Sequence, residues 1–265
     1  MKSVTHPTKP PASGWFFYRF TPMKTLLSYI LTPLFYLAFG LVLVIFDPLQ
    51  RITLKVFGHR AHDAIISVIT GLCTNSTRIL GATYKVVGRE LLPDNRPLVF
   101  AANHQSMYDI PPIFWFFRKH HPKFVVKKEL AKGIPTISYN IRNGGSVTID
   151  RKNPKQAIPQ IQKLGRFINE KKYAAVIYPE GTRSRSGEMR AFKPAGLVAL
   201  LEAAPDALLV PLTINRAYQF TQKGLFPLTV GVKMEYIVHP PLENTGDKLA
   251  LISEAEAAVR SALRS

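Results

Sequence analysis

A single cysteine, Cys73, occurs in the 265 residues, which excludes an internal disulfide and any metal site built from several thiolates. Acidic residues are also scarce. Seventeen Asp and Glu stand against 35 Lys and Arg, a net charge of +18, so the favoured partners are anionic: nucleic acid, an acidic lipid surface or phosphorylated substrates. No internal repeat or low-complexity tract stands out, and 46% apolar composition excludes a disordered chain. Charge is missing altogether from Leu26 to Phe46, 21 residues bounded by Lys24 and Asp47. That is about the length needed to cross a hydrocarbon core of roughly 30 Å.

The uncharged segment is read as retained in lipid, because a secretory signal would have a shorter apolar core and a small-residue cleavage site, and Asp47-Pro48-Leu49-Gln50-Arg51 offers neither. Pro33 and Gly40 are tolerated in membrane helices. Basic residues lie on both sides of it, Lys2, Lys9, Arg19 and Lys24 before and Arg51, Lys55 and Arg60 after, so charge asymmetry sets no orientation. A second uncharged stretch, Ala64 to Thr77, is 14 residues long and carries Ser67, Thr70, Thr74, Asn75, Ser76 and Thr77, which suits a re-entrant or interfacial helix. Either one helix spans, or a hairpin dips in and returns. The expected divisions are a basic tail over 1–22, a membrane-inserted or re-entrant helical segment over 23–82 and an α/β domain over 83–265. In the tail, Trp15, Phe16 and Phe17 are expected to sit at an anionic membrane interface beside Arg19.

After Gly81 short apolar runs alternate with helical stretches, the pattern of an α/β fold. Strands are expected at 84–87, 98–102, 124–126, 146–149, 174–178, 208–214 and 230–238. Helices are expected at 110–118, from Asn153-Pro154 to about Glu170 with Pro159 delaying or kinking it, from Lys193-Pro194 to about Ala203, and over 248–263.

The segment richest in chemistry is Asn103-His104-Gln105-Ser106-Met107-Tyr108-Asp109, directly after the apolar run 97–102. Histidine titrates nearest neutrality, and a carboxylate on one ring nitrogen fixes its tautomer and raises its basicity. Pro111-Pro112 place Asp109 in a turn from which it can fold back on His104. A satisfied strand-end histidine beside an N-cap carboxylate accounts for the same residues, and both readings stand at this point. Ser106 has no Gly-x-Ser-x-Gly elbow around it and is read as a polar loop residue rather than a nucleophile. Two more strand ends deliver an arginine to a loop: Ile149-Asp150-Arg151 and Tyr178-Pro179-Glu180-Gly181-Thr182-Arg183. A guanidinium fork suits a phosphate.

His-x4-Asp, Ile-Asp-Arg, Pro-Glu-Gly-Thr-Arg and Leu209-Val210-Pro211-Leu212, in that order over residues 83 to 215, resemble the four motifs of the 1-acylglycerol-3-phosphate (lysophosphatidic acid) acyltransferase family. Tyr178 stands where phenylalanine is common and Thr148 where an apolar residue is common. The resemblance implies a glycerolipid acyltransferase-like α/β fold, a mixed sheet surrounded by helices, with an N-terminal two-helix membrane motif. It implies acyl transfer from acyl-CoA or acyl-acyl-carrier protein to the sn-2 hydroxyl of 1-acylglycerol-3-phosphate, giving phosphatidic acid, with no cofactor and no metal. His104 would be the general base and Asp109 its orienting partner. Arg151, Glu180, Gly181, Thr182 and Arg183 would bind the glycerol phosphate, with Lys127 as a further cation. The fourth motif would line the acyl path or build the core. The expected partners are the lysophospholipid, the thioester, an anionic membrane surface and acyl carrier protein, with the catalytic domain on the cytoplasmic side.

A nucleic-acid-binding protein is the rival from another class. It rests on charge alone, with no zinc-finger spacing, RNP-like aromatic strand or basic helix. A passive lipid-binding scaffold is a second rival, and a lyso-aminolipid or other lysolipid is an alternative acceptor for the same chemistry.

Overall fold

The computed structural model describes residues 21–264, so the interfacial aromatics expected at Trp15, Phe16 and Phe17 lie outside the described residues. The first element, α1 (Thr21–Ser76), is one helical run broken at Gly58, whose φ of 76° and ψ of −172° suit a residue without a Cβ. The break turns the run into a hairpin. Ile66, Ile69 and Cys73 of the second arm pack against Phe39, Val42, Leu43 and Phe46 of the first. It is the one element among the described residues long and apolar enough to cross a membrane, with a mean hydropathy of 2.3 in its most apolar window. The uncharged stretch 64–77 is therefore largely the returning arm.

Beyond the hairpin lies a mixed sheet of eight strands: β1 (Thr83–Val87), β2 (Leu98–Ala102), β3 (Lys123–Lys127), β4 (Val147–Ile149), β5 (Ala174–Ile177), β6 (Leu208–Asn215), β7 (Lys233–Val238) and β8 (Leu242–Glu243). The order is β1-β7-β6-β2-β5-β3-β4, with β8 pairing β6. β2, β5, β3, β4 and β6 run parallel, and β7 is antiparallel to β6. The central strands read as unbroken apolar runs because both faces are covered. Leu98, Phe100 and Ala102 of β2 face one core layer, with Phe35 of α1 and helix α2 (Ile110–Phe116). Val99 and Ala101 face the other, under α4 (Pro154–Lys171), α5 (Pro194–Glu202) and α6 (Lys248–Ser261).

Three differences from the sequence reading have local causes. Pro159 does not interrupt α4, since it lies in the second turn and removes only one hydrogen bond. Helix α3 (Ile137–Asn143) was not expected; it is short, lacks a side-chain cap, and starts beside Thr136, whose φ is 63°. The hairpin holds that residue. Asp47 accepts from the Thr136 N–H at 2.6 Å, Gln50 donates to its carbonyl at 2.9 Å, and its hydroxyl donates to the Leu43 carbonyl at 2.6 Å. Strand β8 has only two residues, below the length at which alternation is visible.

The hairpin is docked by packing as well. Phe35 is fully buried, with its ring 5.6 Å from Tyr108 and 5.8 Å from Phe220, and burying such a ring contributes about 1.5–3 kcal/mol. The returning arm brings Asp63 to Lys123 at 2.6 Å and to His121 at 3.2 Å.

Gly165 lets α4 lie close against the C-terminal end of α5. A Cβ there would lie 2.7 Å from the Ala203 Cβ and 2.8 Å from the Leu200 carbonyl oxygen. Gly165→Val is expected to lose about 1–3 kcal/mol by overpacking, read as a lower unfolding midpoint in detergent. A midpoint equal to wild type would show that the two helices are not in close contact.

Candidate functional site

Parallel strands send their C-terminal ends to one edge of the sheet, and ligands of open α/β sheets bind there. β2 ends at Ala102, just before His104. Its neighbour β5 ends at Ile177, just before Tyr178 and the Glu180 turn, and β4 ends at Ile149, two residues before Arg151. The topology thus gathers three motifs that lie far apart in the chain.

Asn103 continues the β2–β6 ladder with its side chain, donating to the Ile214 carbonyl at 2.8 Å and accepting from the Ile214 N–H at 2.7 Å. His104 follows, and its Nδ1 lies 3.0 Å from Asp109 Oδ2. The same carboxylate oxygen accepts the backbone N–H groups of Gln105 at 2.8 Å and Ser106 at 2.9 Å. An ionised carboxylate only accepts, so Nδ1 carries the proton and Nε2 presents a lone pair. Nε2 has no partner among the described residues, while the ring is almost buried. Ser106 accepts from Tyr108 N–H through its hydroxyl and forms a capping box with Asp109, a structural task in keeping with its reading as a loop residue. Asp109 is therefore the last member of that capping box and the histidine's partner, while as N-cap of α2 its side chain makes no capping bond.

Tyr178 lies flat against His104, with ring centroids 3.9 Å apart and an interplanar angle of 15°. Burial pushes its phenol well above the ordinary value, so the ring stays neutral. In the sequence Tyr178 stands out only as a departure from phenylalanine, and no local signal marks the stacking.

The Glu180 turn places its residues unequally. Glu180 is 1% exposed and turned inward. One oxygen accepts from the His104 N–H at 2.7 Å and the other from the Arg190 N–H at 2.9 Å. Burial raises its pKa, offset in part by those two bonds and by the nearby Arg190 charge. Expected as a phosphate-binding residue, it is instead committed to the protein and ties two loops together. The loops are joined again where Ser184 N–H donates to the His104 carbonyl at 2.7 Å. Gly181 has φ +72°, which suits glycine, and the Lys193 amino group lies over it, 3.4 Å from where a Cβ would sit. Arg151 donates to the Gly181 carbonyl at 2.8 Å. Its pKa is lowered by desolvation and by the neighbouring Arg183 charge, the mark of two guanidinium groups near one place. Arg183 is exposed and Thr182 half-buried. Lys127 is engaged with Glu129 at 3.2 Å. Lys193 was missed because a lysine before Pro194 reads as a helix start.

Beside the histidine turn is an apolar cavity of about 310 Å³, lined by Tyr36 and Phe39 of the hairpin, by Met107 and Tyr108, and by Phe124 and Ile141 among others. The fourth motif, Leu209 to Leu212, is not on its wall; these residues are buried inside β6.

The acyltransferase family model matches residues 83–215. A 1-acyl-sn-glycerol-3-phosphate acyltransferase of Limnanthes douglasii is 30% identical over 220 residues, covering 79% of this chain and 69% of that protein. One of Pseudomonas aeruginosa is 28% identical over 231 residues, covering 85% of each. The crystal structure of the 1-acyl-sn-glycerophosphate (LPA) acyltransferase PlsC from Thermotoga maritima superposes with a TM-score of 0.73 at 24% identity, over 91% of this chain and 95% of that one, and so shares the fold. With its motifs gathered at one sheet edge and its matches spanning both hairpin and sheet, the chain belongs to the 1-acyl-sn-glycerol-3-phosphate acyltransferase family.

Proposed function

We propose that this acyltransferase moves a fatty acyl group from a thioester, acyl-CoA or acyl-acyl-carrier protein, to the sn-2 hydroxyl of 1-acylglycerol-3-phosphate, giving phosphatidic acid. The observation that carries the reading is His104, anchored through Nδ1 to Asp109 with Nε2 unengaged, between a cationic loop and an apolar cavity. Nε2 takes the hydroxyl proton as the substrate oxygen attacks the thioester carbonyl. The tetrahedral intermediate collapses with cleavage of the C–S bond, and the imidazolium returns the proton to the departing thiolate. Asp109 stabilises the imidazolium, and the Tyr178 ring face does the same while holding the plane of the imidazole. The attacking oxygen comes from the substrate, so no covalent enzyme intermediate is required.

Arg151 and Arg183, with Lys193 beside them, are the cations proposed to hold the acceptor's phosphate. Gly181 and Thr182 shape the loop, and Glu180 positions His104 through its backbone. Lys127 contributes charge from outside this group. The apolar cavity next to Tyr108 takes an acyl chain.

The protein works at a membrane, with the hairpin in the bilayer and the catalytic domain on the cytoplasmic side, where such thioesters are made. Support comes from the outward apolar side chains of the hairpin, such as Leu37, Val44 and Phe57. Leu225 and Phe226 of a nearby loop extend that surface, and the Phe226 ring packs on Tyr29.

Two outcomes test this reading. His104→Ala is expected to lower turnover of lysophosphatidic acid by about 10²- to 10⁴-fold while lipid binding persists; turnover that survives would remove His104 as the base. Arg151→Ala and Arg183→Ala are each expected to raise the acceptor KM by about tenfold or more, the worth of a charge-assisted hydrogen bond, without changing residual turnover of monoacylglycerol, which has no phosphate. Equal losses on both acceptors would assign the arginines to loop structure instead.

A further inference from the structure

Beside β4, the free edge of the sheet, lies a second and larger cleft of about 830 Å³. Its floor is apolar, with Val147, Leu164 and Phe167, and its walls carry Lys128, Lys132, Arg142, Lys163 and Lys171. Asp63 is its one acidic lining residue, and that carboxylate is already held by Lys123 at 2.6 Å and His121 at 3.2 Å. Lys128 is paired with Asp150 at 2.6 Å and Lys171 with Glu170 at 2.7 Å. Lys132, Arg142 and Lys163 have no acidic partner among the described residues. Arg142 is held at the rim by a hydrogen bond to the Ala131 carbonyl. Uncompensated cations around a low-dielectric floor concentrate the field in the cleft and favour an anion there.

The acyl-transfer reaction brings two phosphate-bearing reactants together, and the Arg151–Arg183 loop serves one of them. We propose that the β4-edge cleft, through Lys132, Arg142 and Lys163, binds the phosphate of the donor's phosphopantetheine arm. This rests on the reading of the enzyme as a thioester-dependent acyltransferase. The geometry fits the length of the arm. β4 is three strands from β2 in the sheet order, about 14 Å at a spacing of about 4.8 Å. The arm from sulfur to phosphate is comparable to four extended residues, roughly 14 Å. Measured across the strands, the arm therefore spans from the cleft to β2, whose end carries His104. Coenzyme A and acyl carrier protein share this phosphate, so the chemistry is common to both sources.

The test uses the full chain in detergent, with 4′-phosphopantetheine and pantetheine as probes in titration calorimetry. Wild type is expected to bind the phosphorylated arm more tightly, and Lys132→Gln/Lys163→Gln to remove about threefold to tenfold of that preference. Lys132→Arg/Lys163→Arg, which keeps both charges, is expected to retain it, separating charge from folding. In turnover assays the Gln pair should raise the donor KM and leave the acceptor KM alone. Run with acyl-CoA and with acyl-acyl-carrier protein, the same assays identify the source, because the rise appears with the donor the enzyme uses. Equal binding of the two probes by wild type, or a Gln pair that keeps the full preference, overturns the proposal. So does a Gln pair whose loss is confined to vesicles of phosphatidylcholine with phosphatidylglycerol, which would make the cleft a lipid headgroup site. The binding measurements need no turnover, so an inactive wild type would remove the acyl-transfer reading while the cleft is still judged on its own.

Discussion

One carboxylate oxygen holds the candidate active site together. Asp109 Oδ2 accepts from the His104 ring and from two backbone N–H groups of the turn between them. Bonds to an ionised acceptor are worth about twice a neutral one, and these three act on one short loop. The backbone bonds fix where the carboxylate sits, and the carboxylate fixes the tautomer and tilt of the imidazole. Histidine and turn therefore stand or fall together, and Asp109→Ala would lose both at once.

That turn is braced from every side. Asn103 stitches it to β6, and Glu180 reaches from the β5 turn to the His104 N–H. From the opposite face the hairpin grips Tyr108, the residue before Asp109, between Phe35 at 5.6 Å and Phe39 at 6.0 Å, with Phe220 at 5.0 Å. Because the apolar hairpin packs against the residue beside Asp109, the hairpin and the histidine turn are fixed relative to one another. The apolar cavity between hairpin and sheet follows from the same packing, since its walls come from both. On the proposed function, an acyl chain would enter there without leaving apolar surroundings.

Residues that act through spacing were legible in the sequence. The strands β2, β5 and β6 read as apolar runs, and His104, Asp109, Arg151 and Arg183 fall at strand ends where a parallel topology must collect them. Of the two readings of Asp109, the partner of His104 holds, while its side chain caps the preceding Ser106 turn and not the helix that follows. What was not legible depends on contacts between distant segments. Glu180 looks like a ligand beside two polar neighbours, and only its bonds to His104 and Arg190 turn it inward. Tyr178 reads as a strand residue until its ring meets the imidazole. Helix α3 follows from Thr136 being pinned by Asp47, Gln50 and Leu43, residues 86 or more positions earlier; local propensity carries no record of such a partner.

The excess of basic residues looks different once it is placed. A net charge of +18 spread evenly would oppose folding through self-repulsion, yet many of these cations are tied locally, as Lys123 is to Asp63, Lys128 to Asp150 and Lys85 to Glu235. Among the rest, two groups border the strand ends and the cleft: Arg151, Arg183 and Lys193, and Lys132, Arg142 and Lys163 beside β4. The Lys128–Asp150 pair stands between these groups, one residue from Arg151. Two anions of one reaction would repel if they shared a single patch. Held in two patches with the Lys128–Asp150 pair between them, such anions would repel less while hydroxyl and thioester remain free to meet at His104.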